Sequence, residues 1–264
     1  NRVVGIYHTH SDESYVPTSG TETEWTGDIY QVGRVMRDVL EEEGYTVYWS
    51  DNNHNPHDGQ AYLRSRRTAA ELLRHRPGTL IDVHRDAIPD PDVYLTRHNG
   101  ESVARVRLVV GRQNANQEAN LEYAKRLKAL ADDEFPGLVK GIFLARGNYN
   151  QDLGPNTILL EFGTHTVSLA DAQKAAQFFA KVIPAAAGLA PGSGGSAGAG
   201  QGAAGWRWVV WLLVAAVVGV IGFLLLNKGA WERWSHRLGG AAGGGSMEAS
   251  EELSPPADEQ EGRG

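Results

Sequence analysis

Hydrophobic and polar positions along the first 187 residues switch repeatedly between a period of two and a period near 3.6, which predicts strands alternating with helices. The first apolar run opens the stretch Val3 to Tyr15, V-V-G-I-Y-H-T-H-S-D-E-S-Y. From Asp28 to Glu43 the residues Ile29, Val32, Val35, Met36, Val39 and Leu40 fall on one helical face, and Gly44 supplies a stop. Tyr45–Trp49 reads as a strand, Ala61–His75 as a helix closed by Pro77 and Gly78, and Thr79–His84 as a third strand. Val103–Gly111 is predicted as one strand, Leu121–Asp133 as a helix and Gly141–Leu144 as a short strand. Thr157–Gly163, T-I-L-L-E-F-G, is a nearly continuous apolar strand broken by one carboxylate, and a helix over Leu169–Ile183 follows. This order implies an α/β domain over residues 1–187, built on a single, mostly parallel, helix-flanked sheet.

Beyond that domain the pattern stops. Residues 188–205 are dominated by Gly, Ala, Ser and Pro, a composition that cannot bury a core and reads as a flexible linker. Trp208–Leu226 is a charge-free apolar run of nineteen residues, long enough to cross a bilayer, so a transmembrane helix is predicted over 206–228. Tryptophans at 206, 208, 211, 231 and 234 lie near its two ends, as an aromatic belt would. Lys228, Arg233 and Arg237 after the span outnumber Arg207 before it, which puts the C-terminal side in the cytoplasm and the domain outside. The Gly-rich and then acidic stretch 229–264 reads as a disordered cytoplasmic tail. The chain begins at Asn1, directly before a core strand and without Met, as a processed or truncated form would.

Composition narrows the chemistry. The 264 residues are 41% hydrophobic and 22% charged with a net charge of −7, so the chain suits one well-buried domain plus appendages, and no basic footprint for nucleic acid is present. The absence of cysteine removes thiol nucleophiles, disulfides and thiolate metal sites, so a metal would sit on His, Asp and Glu. Three predicted strands carry rare polar residues near their C-terminal ends: His10 with His8, His84, and Glu161. If the first strand extended far enough, His8 and His10 would share a face, with Glu13 able to swing back from the loop. Asp82 shares a face with His84 and is a candidate for orienting its imidazole from behind. Glu161, inside an apolar run, must be paired, metal-bound or held with a raised pKa, and a structural ion pair to Arg85 or Arg146 is the competing reading.

Weaker candidates complete the inventory. His54 and His57 flank Pro56 in a polar loop and read as surface residues rather than a second metal site, and His165 reads as a loop residue bordering the site. G-G-S-A-G at Gly194–Gly198 matches a serine-hydrolase elbow as text but lacks the flanking strand and helix. Neither a phosphate-loop string nor H-E-x-x-H occurs.

Four ordered motifs, H-T-H-S-D-E-S-Y (His8–Tyr15), I-D-V-H-R-D (Ile81–Asp86), Y-N-Q-D-L (Tyr149–Leu153) and L-L-E-F-G (Leu159–Gly163), resemble the stage II sporulation protein P family. The resemblance implies a zinc-dependent N-acetylmuramoyl-L-alanine amidase, with endopeptidase activity also described, acting on peptidoglycan outside the membrane during engulfment in sporulation. It implies a zinc amidase-like mixed sheet, zinc held by His10, an early glutamate and His84, and Glu161 as catalytic acid and base. Glu13 belongs to the H-T-H-x-x-E-S motif and is the first choice for that glutamate; Glu24 is its rival, and His8 a second-choice ligand. Arg85 is a candidate for stabilising a developing oxyanion, against a salt bridge to a neighbouring acid. Implied partners are the peptidoglycan substrate, the membrane through the C-terminal helix, and other sporulation cell-wall proteins such as a lytic transglycosylase and a membrane scaffold. A stem-peptide endopeptidase and a non-catalytic wall-binding module are the alternatives. Two features depart from the family: its anchor usually lies at the N-terminus, and His165 occupies a region where the wider amidase group tends to have Asn.

Overall fold

The computed structural model describes residues 1–191 of the 264. In chain order the elements are β1 (Val3–Tyr7), α1 (Val16–Ser19), α2 (Ile29–Glu42), β2 (Thr46–Trp49), α3 (Ala61–Leu73), β3 (Thr79–Asp86), β4 (Leu95–His98), β5 (Glu101–Ala104), β6 (Val106–Gly111), α4 (Gln117–Glu134), β7 (Val139–Ala145), β8 (Thr157–Thr164), α5 (Leu169–Ala180) and α6 (Ile183–Ala186). Six strands form one sheet in the order β2-β1-β3-β8-β6-β7, while β4 and β5 form a separate hairpin. Every pairing in the large sheet is parallel except β6 with β8, so the sheet is mixed and mostly parallel.

Alternation along the strands gives the sheet two unlike faces. On one face Val4, Ile6, Ile81, Val83, Leu108, Val110, Ile158, Leu160 and Phe162 join α2, α4 and α5 in a single core cluster. The other face carries Tyr7 and Leu80 under Ala69 and Leu72 of α3, then Val109, Leu159 and Ala145. At the C-terminal ends of β3 and β8 this second face turns polar with His84 and Glu161, and there the cleft opens. As a central strand β8 is apolar on both faces, and Glu161 is the one charge in it.

The predicted elements are present, with two differences. Val103–Gly111 is two strands in two sheets: the Arg105 N–H bonds the Tyr94 carbonyl, which turns the chain out of the large sheet between β5 and β6. The final helix breaks after Ala180 and resumes at Ile183, next to Pro184. No helix among the described residues is long and apolar enough to cross a membrane. The predicted span at 206–228, the acidic tail and most of the linker lie outside the described residues.

Candidate metal and acid-base site

Strand β1 ends at Tyr7, before either histidine, so no strand alternation puts His8 and His10 on one face. His8 therefore points under α2, between Tyr30 and Trp49, with Nδ1 3.3 Å from the Ser50 carbonyl. Burial pushes its pKa down to about 3, and it does not line the cleft. His10 enters the cleft instead. Its Nδ1 is 3.1 Å from Glu13 Oε1, and His84 Nδ1, from β3, is 3.3 Å from the same oxygen. Glu13 Oε2 accepts the Arg85 backbone N–H at 2.9 Å, so the carboxylate is fixed at both oxygens. Glu24, the rival glutamate, is solvent-exposed and outside the cleft lining.

Behind His84 stands Asp82, two residues earlier on the same face, with Oδ1 3.0 Å from His84 Nε2 at ion-pair distance but without hydrogen-bond geometry. Asp82 is itself pinned: it accepts the Thr9 N–H at 2.8 Å and the Thr9 hydroxyl at 2.6 Å. Thr9 Oγ1 lies 2.8 Å from Ser65 Oγ of α3, and that hydroxyl accepts Asn150 Nδ2 at 3.1 Å. Arg66 then joins Asn150 Oδ1 at 3.3 Å to the Asp152 carboxylate. A buried polar chain thus runs from the turn at Asn150 to the imidazole of His84.

The electrostatics of this cluster favour a cation. Burial alone would raise the Glu13 and Asp82 carboxyls, yet the adjoining imidazoles more than offset it and hold both pKa values below the ordinary range. Burial would lower His84, but Asp82 and Glu13 raise it well above a free imidazole. Burial dominates at His10, whose pKa is lowered although Glu13 opposes the shift. Two imidazole nitrogens flank one carboxylate oxygen at 3.1 and 3.3 Å, whereas zinc ligands at about 2.0–2.1 Å in a tetrahedron stand roughly 3.3–3.4 Å apart. Two imidazoles and a carboxylate are donors of the kind zinc takes. His57 competes for the third position, since ligand atoms of His10, Glu13 and His57 all lie within 4.8 Å of one another. His84 is buried with a carboxylate at its far nitrogen, as a supported ligand would be, whereas the His57 ring stacks on His10 at 3.8 Å and engages Asp12 at 3.0 Å.

Glu161 lies across one strand from this cluster, in register with His84 on β3 and with Arg107 on β6. It forms a short ion pair with Arg107 and lies 3.3 Å from the Tyr94 hydroxyl. The partner expected from sequence was Arg85 or Arg146. Burial raises the Glu161 pKa, with Arg107 opposing part of the shift. Arg107 also bonds Asp86 at 2.6 Å, and Tyr94 donates to Asp86 at 2.6 Å. His10, Glu13, His84 and Glu161 all line one cleft of about 240 Å³, together with Tyr62, Phe143 and Tyr149.

Arg85 also reaches the cleft, but its guanidinium donates to the carbonyls of Ser14, Asp86 and Glu22, at 3.3, 3.3 and 2.7 Å. It pins the loop that carries Glu13. His54 is not a surface residue: it is buried, with Nδ1 2.7 Å from the His8 carbonyl and Nε2 2.8 Å from Thr68 Oγ1. His165 lies beside Glu22 at 4.0 Å, outside the cleft lining. Arg107, Tyr94 and Tyr62 went unrecognised in sequence, and Asp86 and Tyr149 stood out only as members of two motifs without a role; the one signal for Arg107 is a cation interrupting the apolar run V-R-L-V-V-G.

The sequence profile of the family described as Stage II sporulation protein P (SpoIIP) matches residues 1–184. Stage II sporulation protein P of Bacillus subtilis (strain 168) is 34% identical over 202 residues, covering 69% of this chain and 50% of that protein, so the chain spans about half the length of this curated relative. Among solved structures, the CwlD amidase from Clostridioides difficile, in complex with the GerS lipoprotein, aligns at TM-score 0.48 and 12% identity over 69% of this chain and 94% of that one. The catalytic domain of CwlV, an N-acetylmuramoyl-L-alanine amidase from Bacillus (Paenibacillus) polymyxa var. colistinus, aligns at TM-score 0.45 and 13% identity over 71% and 96%.

Proposed function

Since the chain belongs to the stage II sporulation protein P family, we propose that it is a zinc-dependent peptidoglycan hydrolase that cleaves the amide between N-acetylmuramic acid and the L-alanine of the stem peptide. The observation that carries this reading is Glu161, a partly buried carboxylate of raised pKa in register with His84 and facing the same cleft as His10 and Glu13. His10, Glu13 and His84 would hold the zinc, which when bound supplies Lewis acidity toward water and the scissile carbonyl.

The chain's own groups do the rest. Asp82 and Thr9 hold His84 in one orientation, and the Arg85 N–H holds Glu13. Glu161 takes a proton from the attacking water and returns it to the leaving nitrogen of L-alanine, a role for which a raised pKa is suited. Arg107 keeps Glu161 oriented and limits how far burial raises it. The apolar run at Trp208–Leu226 would tether the domain outside the cytoplasmic membrane, where the wall polymer and other sporulation wall proteins lie.

Purified sacculi digested with the zinc-loaded protein test the reaction. Mass analysis should find peptides with a free L-alanine amine beside intact, peptide-free glycan. Cut cross-links with peptides still on the glycan would make the enzyme an endopeptidase, and unaltered sacculi would leave a binding module. Protease added to intact protoplasts should remove residues 1–205 and spare the tail; loss of the tail instead reverses the orientation.

A further inference from the structure

A second cavity, of about 420 Å³, adjoins the cleft and shares Tyr62 and Tyr149 with it as a common wall. Leu63, Arg66, Arg146 and the backbone turn 147–150 form its other sides. The shared wall starts at the ligand histidines, the Tyr62 ring lying 5.4 Å from His10 and 6.3 Å from His84. Its two tyrosine rings meet edge to face at 5.2 Å.

The turn that makes this wall is held in an uncommon backbone conformation. Tyr149 and Asn150 both have positive φ, 56° and 54°, a region unfavourable for non-glycine residues and more so for a bulky one. Two glycines accommodate the ring: a Cβ on Gly111 or on Gly147 would stand 2.8 Å from Tyr149 ring atoms. Backbone strain held in place by such packing is a recurring mark of ligand-contacting segments.

The charges differ between the two cavities. The cleft carries Glu13, Asp86 and Glu161 beside one cation, Arg85, whereas the adjoining cavity carries two guanidiniums and no carboxylate. Arg66 is engaged by Asp152 and Asn150. The exposed Arg146 side chain has no hydrogen-bond or ion-pair partner among the described residues, and Leu63 beside it is 67% exposed. An apolar groove ending in an unpaired cation calls for a ligand with small apolar groups followed by an anion.

We infer that this groove binds the stem peptide on the leaving side of the scissile amide, with Arg146 taking the α-carboxylate of the second stem residue. The inference rests on the amidase reading, and it follows from what flanks that bond. On the muramic acid side the glycan is neutral; on the other side an alanine methyl precedes a γ-linked glutamate with a free α-carboxylate. Two residues span about 7 Å at 3.3–3.6 Å each, comparable with the 5.2 Å between the two rings of the tyrosine wall. Arg146 is thus a specificity residue that separates free-acid stem peptides from amidated ones.

Kinetics with the full chain in detergent test this on N-acetylmuramoyl peptides that differ only in whether the second residue's α-carboxylate is free or amidated. Amidation should raise the KM of the wild type about tenfold with little change in kcat, as loss of one partly exposed charge-assisted hydrogen bond does. Arg146→Ala should process both substrates with the higher KM, and Arg146→Lys should regain part of the preference. A wild type indifferent to amidation, or an Arg146→Ala variant that still discriminates, overturns the assignment. Calorimetric binding of the two free stem peptides to Glu161→Gln reads the same preference without turnover. Hydrolysis absent in every variant would refute the amidase reading, while equal affinity of the two peptides would refute the subsite.

Discussion

His84 and Glu161 are register partners on adjacent parallel strands, so a buried imidazole and a partly buried carboxylate are set side by side by the sheet itself. Neither depends on a loop for its position, and each is backed by a charged partner on the same face, Asp82 for one and Arg107 for the other. This relationship makes the roles of the two residues separable by mutation.

Glu161→Gln should keep zinc and fold while losing roughly 10²- to 10⁴-fold in turnover, since the amide keeps the shape but cannot accept and return a proton. Metal content, melting temperature and release of L-alanine-terminated peptides, measured on one preparation, decide the matter. A zinc-loaded variant within about fivefold of wild type, well short of that range, would remove Glu161 from the chemistry.

The pH profile should carry the same signature. Catalysis needs ionised Glu161, and burial raises its pKa above that of free glutamate, so kcat/KM should fall as pH drops through that raised value. Arg107 opposes the rise, so Arg107→Met should move this acid limb to higher pH. A limb unmoved, or moved downward, would mean another group controls it.

Thr9→Val should weaken zinc binding by about 10- to 100-fold, the usual cost of loosening a ligand's support, because Asp82 loses its 2.6 Å hydroxyl donor. Thr9→Ser restores the hydroxyl and should restore affinity. Competition with a chelator reads the affinity directly. An unchanged dissociation constant would show that Asp82 needs no such support.

Gly33→Ala should destabilise the domain although alanine in mid-helix normally gains about 0.5–1 kcal/mol over glycine. The added Cβ would stand 2.2 Å from Nε2 of buried His8, whose ring is boxed in by Tyr30 and Trp49, and overpacking costs about 1–3 kcal/mol. A denaturant midpoint at or above wild type would mean that the His8 ring gives way freely.

The sequence was most legible where a residue broke a regular pattern. Glu161 stands out because it is one charge in an apolar strand, and His84 because it ends another. Arg107 stayed hidden because an alternating cation looks like a solvent-facing strand position; only the antiparallel pairing of β6 with β8 turns it toward Glu161. His54 looked like a loop residue because its burial comes from Thr68 and the His8 carbonyl, contacts 14 and 46 residues away. His8 and His10 were separated by where β1 ends, a boundary that the apolar pattern does not mark. The β4–β5 hairpin is four residues a side, too short for alternation to distinguish from a turn.

The place of β8 in the sheet governs when in synthesis the cleft can be completed. It lies between β3 and β6, yet it is the last strand in sequence, so until Thr164 has been made the sheet exists only as two unconnected parts, β2-β1-β3 and β6-β7. His10, Glu13 and His84 are all present long before that point, but Glu161 arrives on the strand that joins the halves. A nascent or truncated chain can carry His10, Glu13 and His84 without Glu161. Assembly of the four-residue cluster is therefore tied to completion of the whole sheet rather than accumulating piece by piece.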